Sequence, residues 1–580
     1  MALFQQVYTN KVLLDDTQLL TCCIENARPI DGHTEYVIKV QRGPLPDNSW
    51  RVNRRYNDFI QLHAVLSTSG LQLPLPPKKI IGNMDPEFIV QRQAALQNYL
   101  NIVLMNPILA SSLYMKKFLD PENYIAPLHE IALQQVSLAL RSDANFEVGK
   151  AIPDMGWRLR KHYYTVKNKQ NLKQELLLAW VEFGPDKFLQ DKDMIGVFKS
   201  LGNLKHHYIE PIIHLHATEN GALSIRNFYP DGTLRDILCN TKPKQAFIKK
   251  YGNPKQSKSL TTSEISTYAY QVLEALQFLH EKGLPYGHLH TGNIVLTPNG
   301  IKLLDIENGL LGLPAFYRPY VVQRRKLYAA PQVDIYAFGH VLYEMAFGQP
   351  LLEATFESLN LPHCDAKLKN VLEIILSHEA LKHDLPTAAQ LMKHPFFESA
   401  QQNASAIEKP YFKLNSHLKD ALLEAINKTE ARLKDEQKVA RHQKRLIRVQ
   451  EMMSSDEEMK KRRHKLKKEQ KLAQERLSNQ FCKNDTRNTN GKSSERSDSP
   501  TSTSTATSIG TLTPPSHSAP EMIHRSREVK EEFKPPPPPM PAMHAETTPN
   551  TQNTNDRASL LRSISSFNKT NLRKVSRDNC

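Results

Sequence analysis

Two clusters of residues are equipped for chemistry. The first is Arg54-Arg55-Tyr56-Asn57-Asp58-Phe59, followed by Leu73-Pro74-Leu75-Pro76-Pro77-Lys78 and then Arg92. A phosphorylated inositol ring needs a guanidinium fork for its phosphomonoester, a flat apolar surface for the ring face and a second cation for the diester. Arg55, Tyr56 and Lys78 supply those three groups. An Arg-Arg-Tyr triplet by itself reads as two surface charges beside a core ring, so the case rests on the whole array. Leu73, Leu75 and Ile80, on the proline-stiffened loop, are apolar tips suited to a lipid headgroup layer. The second cluster is Tyr286-Gly287-His288-Leu289-His290-Thr291-Gly292-Asn293 with Asp305-Ile306-Glu307 downstream. An imidazole such as that of His288 exchanges protons near neutral pH.

These groups need a frame. The chain of 580 residues has room for about three or four domains. At 23% charged and 40% hydrophobic residues, part of it is expected to be globular and part not. The spacing predicts strands over Thr17–Ile24, Glu35–Val40 and Ser49–Arg54, then helices over Asn57–Leu66 and about Asp85–Met105. Strands are expected again over Tyr163–Val166 and Leu176–Phe183, and helices over Ser263–Lys282, Asp334–Gly348, Lys367–Ser377 and Thr387–Phe397. The fold class is therefore α+β and multidomain. Expected units are residues 14–125, 140–400, a basic charged helical segment at 408–481, a disordered Ser/Thr/Pro-rich linker at 484–554, and a closing apolar-periodic piece at 555–576.

The net charge is +16, and residues 411–480 carry half of the excess, with 19 Lys and Arg against 11 Asp and Glu. Such a balance favours anionic partners, although a charge run is most often a solvated helix face. No base-reading or stacking module accompanies the charge, so nucleic acid is not an expected partner. Six cysteines show no paired spacing of the zinc or disulfide-scaffold kind, and no metal site is expected. Met1–Asp16 do not read as a signal peptide, Cys580 does not read as a prenylation box, and no apolar run reaches 18 residues, so membrane contact is expected to be peripheral.

The RRYNDF box, the LPPK loop and the FIVQRQAALQNYL segment resemble a PX domain in order and spacing. The resemblance implies a three-stranded sheet with helices. It implies that Arg55 holds a 3-phosphate, Tyr56 stacks on the inositol ring, Lys78 meets the 1-phosphate and Arg92 bonds the 4- and 5-hydroxyls. The implied ligand is phosphatidylinositol 3-phosphate or a related phosphoinositide.

A second resemblance covers the next part of the chain. Leu276-Gln277-Phe278-Leu279-His280, the loop 286–293, Ala329-Ala330-Pro331-Gln332, Asp334-Ile335-Tyr336-Ala337-Phe338-Gly339 and Leu391-Met392-Lys393-His394-Pro395-Phe396-Phe397 are similar to five ordered landmarks of the protein-kinase fold. The machinery of phosphoryl transfer is another matter. In the HRDLxxxN loop the base position is His288, the preceding Arg is Gly287, and the Lys two residues later is His290. Asn293 and Asp305 are retained at the metal-ligand positions, which leaves residual nucleotide and magnesium binding open, but no cofactor is required. The stretch Gly149–Gly156 is too poor in glycine to cradle phosphates. The register Ala179-Trp180-Val181-Glu182 puts Glu182 where the nucleotide lysine belongs, with Lys150 or Lys161 as relocated substitutes. The pair linking the APE glutamate to a distant arginine is replaced by Gln332 and Leu385. The resemblance implies a pseudokinase, with a weak, membrane-targeted Ser/Thr kinase as the alternative.

In the tail, Leu560, Leu561 and Ile564 share a helix face ahead of Leu572-Arg573-Lys574-Val575, a combination that resembles a WASP-homology-2 actin-binding motif. Pro535–Pro539 is a polyproline stretch of the kind bound by SH3 or profilin-type partners. The combined expectation is a cytoplasmic adaptor, peripheral on endosomal or plasma membranes, that binds phosphoinositide, actin and the cytoplasmic segment of a membrane protein.

Overall fold

The computed structural model describes residues 14–484 except 80–81, 83, 142, 358–363 and 403–408. The linker, Pro535–Pro539, the Leu560–Val575 motif and the loop tip Ile80 lie outside the described residues.

The first unit is an antiparallel sheet of β1 (Leu20–Ile30), β2 (His33–Arg42) and β3 (Ser49–Arg55). Asp31 and Gly32 turn the first hairpin with φ of 44° and 78°, the two left-handed positions that a tight hairpin matched to strand twist requires. The helices α1 (Tyr56–Leu66), α2 (Pro86–Met105), α3 (Pro107–Ala110), α4 (Leu113–Leu119) and α5 (Pro121–Tyr124) cover one face. Their core gathers Tyr36, Ile38, Val40, Phe59, Leu66, Leu96, Tyr99 and Leu100. Asp85 caps α2 by accepting from the Glu87 amide at 3.2 Å, with Pro86 in the first turn where its missing N–H costs nothing.

Helix α6 (Leu128–Leu140) leads into a five-stranded antiparallel sheet of β4 (Phe146–Ile152), β5 (Lys161–Asn168), β6 (Glu175–Glu182), β7 (His214–Ala217) and β8 (Gly221–Asn227), in the order β4-β5-β6-β8-β7. Ala132, Val136 and Leu140 of α6 pack on its outer face. Helix α7 (Asp191–Leu201) follows β6. Neither α6 nor α7 was expected from periodicity. Next come α8 (Leu234–Leu238), α9 (Phe247–Tyr251), α10 (Thr262–Glu281), the ribbon β9 (Ile294–Thr297) and β10 (Gly300–Leu303), α11 (Arg318–Val321), α12 (Ala330–Phe347), α13 (Ala366–Leu376), α14 (Ala388–Leu391) and α15 (Glu398–Gln402). Thr387–Phe397, expected as one helix, breaks after Leu391 and resumes as a 3-10 turn at Pro395–Phe397, because Pro395 cannot continue the ladder and His394 caps the new turn. Gly339 of α12 lets α13 approach closely; a Cβ there would lie 2.7 Å from Ile375.

The charged segment is one helix, α16 (Ser416–Asn484). Its first third packs on the kinase-like unit, burying Leu418, Leu422 and Leu433. Arg432 pairs with Asp186 at 2.7 Å, and the Gln437 amide donates to the Val321 and Leu327 carbonyls at 3.1 and 2.8 Å. The first unit is likewise joined to the kinase-like unit. Ile248 of α9 packs against its core, and Asn253 donates to the Gly70 carbonyl at 2.9 Å.

Candidate functional site

The headgroup residues are assembled by three short local devices. Asp58 accepts from the Arg55 amide at 2.7 Å, which starts α1 and brings Tyr56 to its first turn. The Tyr56 hydroxyl donates to the Pro76 carbonyl, tying the proline loop to α1. Arg92, buried on α2, lies 4.3 Å from the centroids of both Tyr56 and Phe88 and donates to the Pro77 carbonyl at 3.2 Å. Tyr56, Arg92 and the Pro76–Pro77 backbone just before Lys78 are thus brought together. Arg55 stays more than half exposed, held loosely by Glu35 at 3.4 Å, and Lys78 is exposed. Arg92 Nε is buried without a hydrogen-bond partner, a cost in water-free surroundings that a ligand oxygen would relieve.

The second site lies between the five-stranded sheet and the helical lobe. Asp334 of α12 is fully buried and accepts from the Tyr286 amide at 2.8 Å, the Gly287 amide at 2.5 Å and His280 at 2.8 Å, which fixes the loop 286–293. Asn293 donates to the His288 carbonyl at 3.0 Å. Asp305, in a left-handed conformation with φ of 58°, is clamped by two buried cations: Lys161 of β5 at 2.6 Å and Arg226 of β8. Burial alone would raise the Asp305 carboxyl, but the Arg226 and Lys161 charges outweigh it and hold the group below the usual carboxylate range. Glu182 ends β6 and pairs with Arg160 at 2.7 Å. The cations at Asp305 therefore come from β5 and β8, the strands on either side of β6. Of the two relocated lysines considered, Lys161 reaches the site, while Lys150 is exposed.

The loop between β4 and β5 does not arch over an open phosphate site. Its Trp157 ring stands edge-on to Phe316 at 5.1 Å and to His290 at 6.3 Å. Arg158 donates to His288 Nδ1 at 3.0 Å. Burial, then the Arg158 charge, drives the His288 imidazole well below its ordinary value, so it is neutral and its Nδ1 lone pair is already engaged. Burial also lowers His290, to about 3. Near-neutral titration of His288, read from its residue type, therefore does not hold in the fold. The cleft keeps a cavity of about 100 Å³, against about 700 Å³ for the largely apolar hollow between the first unit and the kinase-like unit. Gly149 serves strand packing, since a Cβ there would lie 2.4 Å from Thr165 Oγ1. Of the two residues at metal-ligand positions, Asp305 is paired with Lys161 and Arg226, and Asn293 donates its amide nitrogen to the His288 carbonyl, which leaves its Oδ1 outside that bond. Among the described residues no group of three His, Cys, Asp or Glu forms a metal site.

Trp157, Arg158 and Arg226 were not singled out from sequence. Nothing in their spacing marks them, because the contacts join β4–β5, β8 and the loop 286–293 across long stretches of chain.

Comparison with known proteins gives these features a setting. Residues 45–122 match the PX domain model and residues 185–420 the protein kinase domain model. The chain is 47% identical to the mouse PX domain-containing protein kinase-like protein, over 78% of this chain and 77% of that one. The chain belongs to the PX domain-containing protein kinase-like family. More distant members of this similarity group are a Dictyostelium discoideum protein called probable inactive serine/threonine-protein kinase slob1 (31% identical; 45% of this chain, 48% of that one) and the Drosophila melanogaster Slowpoke-binding protein (30%; 40% and 48%). No described helix is long and apolar enough to cross a membrane.

Proposed function

We propose that this chain is a peripheral-membrane adaptor. Its PX module recognises phosphatidylinositol 3-phosphate or a related phosphoinositide through Arg55, Tyr56, Lys78 and Arg92, and its kinase-like unit acts as a protein-binding body rather than a phosphotransferase. The observation that carries the second half is the double clamp on Asp305, reinforced by Trp157 and Arg158 in the cleft. Metal-assisted transfer would require breaking buried ion pairs, each of which leaves an uncompensated charge costing about 3–5 kcal/mol. The Drosophila relative's name, Slowpoke-binding protein, supports a protein as the partner class, and the PX module favours one at a membrane. Residues 555–576 would contact actin and Pro535–Pro539 an SH3 or profilin-type partner, placing the adaptor in the cytoplasm at endosomal or plasma membranes.

Lys161 favours the rival reading, a weak atypical kinase, because it brings an ammonium to Asp305 from β5. Phosphate transfer by the purified full chain, beside Asp305→Ala, separates the two. Robust transfer abolished by that change supports the kinase; no transfer, with vesicle binding that requires the 3-phosphate, supports the adaptor.

A further inference from the structure

Helix α16 changes character along its length. Up to Gln437 the helix buries Leu418, Leu422 and Leu433 against the kinase-like unit and leaves Leu423 exposed, but from Lys444 to Glu469 every described side chain is exposed. Seven large apolar residues stand in that water-facing stretch: Leu446, Ile447, Val449, Met452, Met453, Met459 and Leu466. At 100° per residue, Leu446, Val449 and Met453 form one stripe and Met452, Met459 and Leu466, seven apart, form the adjoining one. Together they span an arc of roughly 160°, shared with Arg445, Arg448, Lys460, Arg463 and Lys467, whose long stems let the charged ends reach outward past the apolar side chains. Residues 441–468 carry 11 Lys and Arg against 4 Asp and Glu, a net +7, and the run 460–468 is nearly all basic. The arm is rooted rather than loose, because Arg432, Glu436 and Gln437 fasten the helix to Asp186, Arg318 and the Val321 and Leu327 carbonyls immediately before it.

We infer that residues 441–468 are a second membrane contact, lying along an anionic bilayer surface with the methionine and leucine stripes toward the acyl boundary and the lysines and arginines on lipid phosphates and carboxylates. Charge complementarity selects an anionic partner. The interleaved aliphatic side chains select a bilayer over nucleic acid, which offers them no apolar layer. The inference rests on the PX reading for its setting, since one headgroup pocket plus one polybasic helix gives two weak contacts that reinforce each other. It is separable from that reading because the arm reads charge and the pocket reads a 3-phosphate.

The test uses the full chain and two kinds of vesicle: phosphatidylserine without phosphoinositide, and phosphatidylinositol 3-phosphate in neutral lipid. The combined variant Lys460→Glu, Lys461→Glu, Lys465→Glu, Lys467→Glu should bind phosphatidylserine vesicles at least about tenfold more weakly and keep its unfolding temperature. Its binding to phosphatidylinositol 3-phosphate in neutral lipid should change less than about twofold. Arg55→Ala should show the reverse pattern, and if it alone fails, the pocket assignment falls while the arm stands. Met452→Ser with Met459→Ser and Leu466→Ser should lose the part of phosphatidylserine binding that survives high salt. Unchanged phosphatidylserine binding by the charge-reversal variant overturns the inference. So does loss of DNA-duplex binding with vesicle binding intact, or loss of a dimer as the sole effect of the Met/Leu variant.

Discussion

Replacing Asp305 by alanine distinguishes a fold element from a metal ligand. Lys161 and Arg226 both reach Asp305 from inside the protein, and both are buried. Removing the carboxylate strands two cations in a low-dielectric cleft, a loss of about 3–5 kcal/mol for breaking a buried pair from one side. For a unit of this size that lowers the unfolding temperature by roughly 6–20 °C. In a working kinase the same change would strike ligand binding and leave the ligand-free protein about as stable as before. Thermal unfolding of ligand-free wild type and Asp305→Ala, with Asp305→Ala/Lys161→Met/Arg226→Met as the rescue, reads the difference directly. The triple variant should recover most of the loss, because a well-packed apolar replacement of a buried ion cluster is often neutral. The pH dependence has a definite sign. The folded-state value of Asp305 is depressed, so its stabilisation is complete above the ordinary carboxylate range and is lost as pH falls through the depressed value. An alanine variant as stable as the parent, with no acid-side difference between them, would refute the clamp.

Three other outcomes are expected. Arg55→Ala should weaken binding to 3-phosphorylated vesicles by about 1.5–3 kcal/mol without altering stability, whereas Arg92→Ala, which removes a buried guanidinium bonded to Pro77, should lower both; equal effects of the two on unfolding would sink the distinction. His288→Asp should not produce phosphotransfer in a radiolabel assay, since Arg158 would pair with the new carboxylate and Asp305 would stay clamped; measurable turnover would show the cleft to be open. Gln437→Leu should destabilise by about 1–3 kcal/mol in chemical denaturation by orphaning the Val321 and Leu327 carbonyls, and no change in midpoint would mean that α16 is not fastened there.

Wherever chemistry and neighbourhood coincide along the chain, the sequence was sufficient. Tyr56, the Pro76–Pro77 backbone and Arg92 sit close enough in sequence for α1 capping and one proline loop to bring them together, while Arg55 stays exposed beside Glu35, and local periodicity located β2, β3, α1, α2, α10 and α12. The missing base at 288 and the altered residues at 287 and 290 were legible because a motif states what each position must be. Packing alone decided what surrounds the altered positions. Periodicity missed α7, with Gly196 facing Leu418 of α16, and α6, whose apolar face is defined only by the sheet it covers. Lys161 and Arg226 meet Asp305 from strands 144 and 79 residues away in the chain, and Arg158 meets His288 across 130. A charge's partner, and hence its protonation and its purpose, is a property of three-dimensional proximity in a dry interior. No spacing rule along the chain encodes it.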